Sequence, residues 1–347
     1  MSAFSDLIAK CSNELFLMAD IGLTCGGNID RTFELVSIAK EVGFDGVKLQ
    51  MLESAKLLGD TSVTYTYPTL NSGKRTEVML DMFKKLEFSD DQWNAIVNYI
   101  RKLGMEPIVT CHYEGGVERV NKLDLNFNKI CTWSLSHHRL IKKLAQNGRP
   151  LIIDTGTINE KDLMSLNLIY RDAGGGELIV LHDFHTDNLA EMNFAAMSRL
   201  SELGFNFGYT PQGRKDWLDF MSVGYGVKIL EKRLTLSRDI PENGHWKAHE
   251  PSEIKEWVKN IRECKKAIGV PKIMPTSQDL EDARKYYKSA WLIVDKNAGD
   301  AIEESDVVFK RPGTGISSAY WEAEFQSGAY LKCSVAAGTM LTWEMLQ

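Results

Sequence analysis

The chain has no excess of basic residues, no apolar run of membrane-spanning length, no cysteines at CxxC spacing and few prolines. Each absence closes off a class of function. Lys and Arg number 41 against 47 Asp and Glu, a formal charge of -6, so there is no positive field for nucleic acid or anionic lipid. Neither nucleic acid nor membrane is expected as a partner, and any anionic ligand must be held by a local cluster. No apolar stretch approaches the roughly 18 residues of a membrane span. The opening MSAFSDLIAK lacks the basic start and unbroken apolar core of a secretory leader, and a cytoplasmic location is expected. The six cysteines (Cys11, Cys25, Cys111, Cys131, Cys264 and Cys333) are scattered, which suits reduced thiols better than a disulfide framework or a zinc knot. What remains is an ordinary globular composition, 44% hydrophobic and 25% charged over 347 residues. Single cores rarely grow past about 250 to 300 residues, so two domains are expected.

Apolar strand-like runs alternate with amphipathic segments from residue 16 to about 268. The strand candidates are FLMADIG (16–22), DGVKLQM (45–51), EPIVTCH (106–112), FNKICTW (127–133), RPLIIDTG (149–156), ELIVLHD (177–183), FNFGYTP (205–211) and VKILEKRLT (227–235). Helix signals fall between them, among them SDDQWNAIVNYIRKLG with Ser89 as its N-cap, and several end in Gly. Continuous apolar strands separated by helices imply a parallel sheet covered by helices, and eight such units match a closed (β/α)8 TIM barrel. Residues 53–76 read as a long polar loop over a site. After residue 268 comes a stretch broken by two prolines, read as a linker over 269–287, and then a small β-rich module over 288–347.

In a TIM barrel the active site lies at the C-terminal ends of the strands. Those ends carry Asp20, Lys48 with Gln50, Thr110 with His112, Lys129 with Thr132, Asp154 with Thr155, His182 with Asp183 and His185, Thr210 with Gln212, and Glu231 with Arg233. Two lysines, an arginine and three threonines suit a compact anion bearing phosphate and carboxylate, the lysines as point charges and the hydroxyls as directed donors. Asp20 and the histidines then remain for the hydroxyls or protons of a second substrate. His137 and His138 begin a helix and read as surface or capping residues. For a metal site, only His245 and His249 show HxxxH spacing, and they fall in a loop.

Several runs are familiar: ADIGLTCGGNIDRTFELVSIAKEVGFDGVKLQ, NKICT before LIKKLAQNGRPLIIDTG, ILEKRLT before WKAHEP, and VVFKRPGTGIS followed by GTMLTWEML. Together they make the chain similar to the sialic acid synthase family over nearly its whole length, the last two runs resembling that family's C-terminal antifreeze-like (SAF) domain. The resemblance implies a TIM barrel with a SAF domain and a domain-swapped homodimer. It also implies condensation of phosphoenolpyruvate (PEP) with an N-acylated mannosamine or a related aldose, free or phosphorylated, to a nonulosonic acid, usually with divalent Mn or Mg. Carried across, it assigns Lys48, Thr110, Lys129, Thr132, His185 and Thr210 to PEP. It assigns Asp20, Gln50, His112, Asp187, His245 and Arg311 to the sugar, and Asp20, Lys48 and Arg233 to catalysis.

The departures concern the metal. The family's two ligand histidines fall at Gln212, in TPQ, and at Arg233, in EKR, and neither suits Mn or Mg. Three expectations follow: the same condensation run without metal, with Arg233 polarising the aldehyde; a Schiff-base aldolase on Lys48 or Lys129; or a non-catalytic ligand-binding relative.

Overall fold

The computed structural model describes residues 3–11, 14–324 and 328–347. The chain divides into two compact units, Met1–Gly269 and Val270–Gln347. In the first, all eight expected strands form: β1 (Phe16–Asp20), β2 (Gly46–Met51), β3 (Glu106–Cys111), β4 (Asn128–Ile130), β5 (Leu151–Asp154), β6 (Leu178–His182), β7 (Asn206–Tyr209) and β8 (Ile229–Arg233). Each lies parallel beside its sequence neighbour, and β1 pairs with β8 to close the ring. Helices follow the strands, with local chemistry marking their ends. Asn28 accepts from Arg31 N at the start of Ile29–Val42, Gly43 ends that helix at φ 100°, and Ser89 forms a capping box with Gln92.

Alternation along the strands sorts the side chains into two layers. Leu17, Ala19, Val47, Leu49, Val109, Ile130, Ile153, Val180 and Leu230 face outward into the core under the helices. Phe16, Met18, Ile108, Phe127, Ile152, Ile179, Leu181 and Ile229 face inward and fill the lower barrel. Phe4 and Ile8 of the helix Ala3–Lys10 join this inner cluster, Phe4 edge-on to Phe127 at 6.4 Å. The barrel is therefore a packed plug below, and only inward positions nearer the C-terminal strand ends are free to be polar.

Two segments differ from expectation. Residues 53–76 hold a helical turn (Ser54–Leu57) and a hairpin, with Thr64–Thr69 antiparallel to Gly73–Val78. Asn71 and Arg75 tie the hairpin to Asp239 and Pro241 beyond β8. Its polar composition hid it in the sequence, and Pro68 fits because a two-stranded ribbon has open edges where a missing N–H is tolerated. Within 269–287 a helix, Ser277–Tyr286, starts where Thr276 accepts from Asp279 N and the Asp279 carboxylate accepts from Thr276 N. The prolines that suggested a linker precede this cap.

The second unit contains two antiparallel pairs, Ser289–Leu292 with Val307–Lys310 and Ala301–Ile302 with Ala329–Tyr330. They pack around Ala290, Leu292, Ile316, Trp321 and Leu341. No helix among the described residues is long and apolar enough to cross a membrane.

Candidate functional site

Above the apolar plug the inward register continues into charge. On β1 it passes from Met18 to Asp20, on β2 from Gly46 to Lys48, on β4 from Phe127 to Lys129, on β5 from Ile152 to Asp154, and on β8 from Ile229 to Glu231 and Arg233. Lys129 is fully buried, and Lys48 and Glu231 nearly so. Lys48 Nζ lies 3.2 Å from Asp20 and 3.3 Å from Glu231. Lys129 Nζ lies 2.7 Å from Asp154 and 3.4 Å from Glu231. Glu231 thus stands between the two lysines, and barrel closure is what brings β1, β2, β4, β5 and β8 together. Arg233 donates through Nε at 3.2 Å to Asp20, with a second guanidinium nitrogen at 3.1 Å.

The electrostatics follow from this packing. Burial alone would lower the Lys48 ammonium, but Asp20 and Glu231 outweigh it and hold its pKa above that of an ordinary lysine. Lys129 is raised in the same way by Asp154 and Glu231. Burial would likewise raise Asp20, but Lys48 and Arg233 hold it well below the usual carboxylate range. Burial, reinforced by Glu231 and Asp183, pushes Asp154 up to about 7 against the pull of Lys129. Burial and the two lysines push His112 down to about 3, so its imidazole is neutral.

In this region Thr110 Oγ1 and His112 Nε2 are buried with no hydrogen-bond partner among the described residues, and Glu231 Oε2 has only its ion pair with Lys129. Each such group costs roughly 1–3 kcal/mol when left unpaired, a cost that a polar ligand would relieve. Beyond β6, the Asp183 carboxylate accepts from Thr132 Oγ1 and Gln212 Nε2, both at 2.8 Å. Thr210 directly follows β7 and is buried, its N–H bonded to His182 O. Gln50 lies against Gly22 beside Asp20, where a Cβ on the glycine would meet Gln50 Cγ at 2.7 Å.

The remaining candidates lie at the rim or elsewhere. His185 sits at the rim with its ring 4.9 Å from the exposed Trp133 and its Nε2 3.7 Å from the Asp183 carboxylate, so it does touch the site, and Asp187 is exposed and paired with Lys215. His245 is buried, with Nδ1 2.7 Å from Thr235 Oγ1 and Nε2 3.4 Å from Glu242. It anchors a loop through Nδ1, while Nε2 faces Glu242 without a hydrogen-bond partner among the described residues. His249 contacts Asp216, so the HxxxH pair serves two separate structural networks. His182 faces outward, bonded to Met192 O among Phe184, Phe194 and Tyr209. His137 stands at the N-cap position of the helix His138–Ala145 without a side-chain cap bond, its Nε2 3.1 Å from Glu114. Arg311 belongs to the second unit, where Nε donates to Tyr286 O at 2.9 Å and the guanidinium overlies the Tyr286 ring.

A divalent metal does not fit the two positions the resemblance points to. Gln212 uses its amide nitrogen on Asp183 and its oxygen on Lys247, and Arg233 is a cation that donates to Asp20. Among the described residues no group of three or more His, Cys, Asp or Glu side chains is arranged to hold a metal ion.

Sequence reasoning named Glu231, Asp154 and Asp183 as strand-end groups but gave them no role. The available signal was the two-residue step from Glu231 to Arg233, which places both inside the barrel. Lys247 was missed, because it lies in a short 3-10 turn, His245–Lys247, where no periodicity applies.

The fold is thus a closed (β/α)8 barrel whose mouth holds two buried ammonium groups beside hydroxyl and imidazole groups with no partner among the described residues. Residues 35–272 match the NeuB family and residues 288–347 the SAF domain. The chain belongs to the NeuB family, whose synthases are PEP-condensing transferases. It is 26% identical over 339 residues to the N,N'-diacetyllegionaminic acid synthase of Legionella pneumophila, covering 96% of this chain and 94% of that protein. To the human N-acetylneuraminate-9-phosphate synthase it is 24% identical over 259 residues, 74% of this chain and 72% of the relative. Among solved structures, a Leptospira borgpetersenii sialic acid synthetase in complex with citrate superposes with a TM-score of 0.68 at 20% identity, covering 77% of this chain and 90% of the other. A spore coat polysaccharide biosynthesis protein of Bacillus subtilis gives 0.62 at 21% identity, covering 96% and 95%. At these identities the structural likenesses establish the fold.

Proposed function

We propose that this chain condenses PEP with an N-acylated six-carbon aldose, releasing phosphate and forming a nine-carbon 2-keto-3-deoxy acid, without a divalent metal. The observation that carries the reading is the pair Lys48 and Lys129, buried and held protonated around Glu231, with Thr110 Oγ1 unpartnered in the same region. The name of the Legionella relative points to a diacetylated product, which supports an N-acylated acceptor here. Lys48, Lys129, Thr110, Thr132 and Thr210 hold PEP. PEP C3 bonds to the aldehyde carbon, water adds at C2, and phosphate leaves as the C2 ketone forms.

Asp20 and Arg233 act as a pair that receives the acceptor's hydroxyls, with Gln50 alongside. The guanidinium is already neutralised by Asp20, which argues against Arg233 as the group that polarises the aldehyde. A Schiff base on Lys48 or Lys129 is disfavoured for a related reason, since ammonium groups held by carboxylates are poor amine nucleophiles. The resemblance further supports a homodimer in which Arg311 of one chain serves the barrel of the other.

The test is phosphate release from PEP with a panel of N-acylated aldoses, N-acetylmannosamine among them, with and without EDTA. Turnover that persists in EDTA is expected. In calorimetry Lys48→Ala should weaken PEP binding at least a hundredfold, about 2.7 kcal/mol. Unchanged PEP affinity in that variant would sink the assignment. Binding of PEP without phosphate release for any aldose would favour a ligand-binding role instead.

A further inference from the structure

We propose that Lys247 is the acid that protonates the acceptor's carbonyl oxygen as the carbon–carbon bond forms, a role that rests on the condensation proposed above. The mouth of the barrel carries four cations, and among the described residues three of them face carboxylates. Lys48 faces Asp20 and Glu231, Lys129 faces Asp154 and Glu231, and Arg233 faces Asp20. Lys247 alone of the four, among the described residues, has no carboxylate at ion-pair distance. Its one hydrogen bond runs to the neutral Gln212 Oε1 at 3.3 Å. Its ammonium also lies 6.0 Å from the centroid of the Trp246 ring, and with an amide oxygen and a ring face but no carboxylate beside it among the described residues it has spare donor capacity and an incompletely compensated charge.

Its placement is fixed from several sides. Gln212 must present its oxygen to Lys247, because its nitrogen is committed to Asp183, which also accepts from Thr132. The 3-10 turn carrying Lys247 is pinned at its start by His245 on Thr235. Lys247, Gln212, His185 and Trp246 line a cavity of about 330 Å³, enough for a small polar ligand. Hydrogen bonds running from Gln212 to Asp183 to Thr132 link that cavity to the proposed PEP site. An acceptor reaching into it would meet the Lys247 ammonium.

The charged groups acting on Lys247 are Arg233, Lys48 and Asp20 from the barrel strands and Asp183 from beyond β6. Burial first, and Arg233 second, pull Lys247 down to about 7 against the two carboxylates. A donor titrating there gives up its proton and regains it readily at neutral pH, which an arginine cannot do. As the PEP C2–C3 π pair forms the new bond to the aldehyde carbon, the carbonyl π pair moves onto oxygen. That oxygen takes a proton from Lys247 Nζ, leaving a neutral amine. Water then adds at the cationic C2. One of its protons returns to the amine and the other leaves with phosphate, so the enzyme is restored.

Three variants test this: Lys247→Ala, Lys247→Met and Lys247→Arg. Each should bind PEP within about twofold of wild type by calorimetry, while kcat for phosphate release falls at least a hundredfold in the alanine and methionine variants, the lower range for losing an acid–base group. Ethylamine in the buffer should restore part of the Lys247→Ala activity and none of that lost in Lys48→Ala. A kcat within threefold of wild type in Lys247→Met, or loss in Lys247→Ala that no alkylamine restores, overturns the role. A separate reading needs no turnover: the pH dependence of Lys247 acetylation in the PEP-bound protein, followed by mass spectrometry. Half-reaction near pH 7 to 8 supports the proposal, and a value above about 9.5, close to an ordinary lysine, overturns it even where the condensation itself holds. PEP bound without phosphate release for every aldose overturns both readings together.

Discussion

At the scale of single residues the site is an exercise in shared charge. Glu231 serves two lysines at once, and Asp154 shares Lys129 with it at the shorter distance, 2.7 Å against 3.4 Å. An entering anion competes for the same ammonium groups, so one of the acids must yield. Asp154, pushed up by burial and neighbouring carboxylates to about 7, yields at the least cost by taking a proton. PEP beside it raises its proton affinity further. Binding at pH 7.5 is therefore expected to take up protons, and this term strengthens binding as pH falls from 8 toward 6. Calorimetry in buffers of different ionisation enthalpy measures the uptake, and Asp154→Asn, neutral throughout, should reduce it by several tenths of a proton. Equal uptake in that variant would rule out Asp154 as the responding group.

At the scale of elements, strand parity decides what each side chain can do. His182 and Asp183 are consecutive, yet one packs among aromatics outside the barrel while the other faces its mouth. The lower barrel is equally particular about size. Gly208 is paired in register with Ile229, and a Cβ there would meet Ile229 O at 2.4 Å and Leu181 Cδ2 at 2.6 Å. Its backbone is not in the left-handed region, so the requirement is room between strands. Gly208→Ala should cost about 1–3 kcal/mol of stability through overpacking, read as a lower unfolding midpoint by calorimetry. An unchanged midpoint would mean that β7 moves aside freely. The hairpin Thr64–Thr69 with Gly73–Val78 and the helix Ser277–Tyr286 were the elements least visible in the sequence. Polar composition hid the hairpin and two prolines hid the helix, and what overrode them was cross-strand pairing in one case and a side-chain cap in the other.

At the scale of the whole molecule, an acidic chain can still hold an anion because the relevant field is local. The net charge of -6 belongs to the chain as a whole, whereas the proposed site gathers Lys48, Lys129, Arg233 and Lys247. The proposed dimer belongs at this scale too. Sedimentation velocity should give twice the chain mass, and Arg311→Ala should raise the KM for the aldose at least tenfold while leaving PEP affinity unchanged. A monomer, or an aldose KM that does not move, would exclude Arg311 from a partner's site.

The sequence by itself determined the eight strands, the closed barrel and the lysines, because hydrophobic period and strand-end position are local properties of the chain. It also carried the family, through runs such as KRPGTG near the C-terminus. Only the tertiary structure decided who partners whom. Closure of β1 on β8 puts Glu231 between lysines 183 and 102 residues away in sequence. Loop packing commits His245 to Thr235 and leaves Lys247 with an amide in place of an acid. Those outcomes depend on distances between parts of the chain that no local pattern encodes, and they distinguish a charge that is satisfied from one that is available for chemistry.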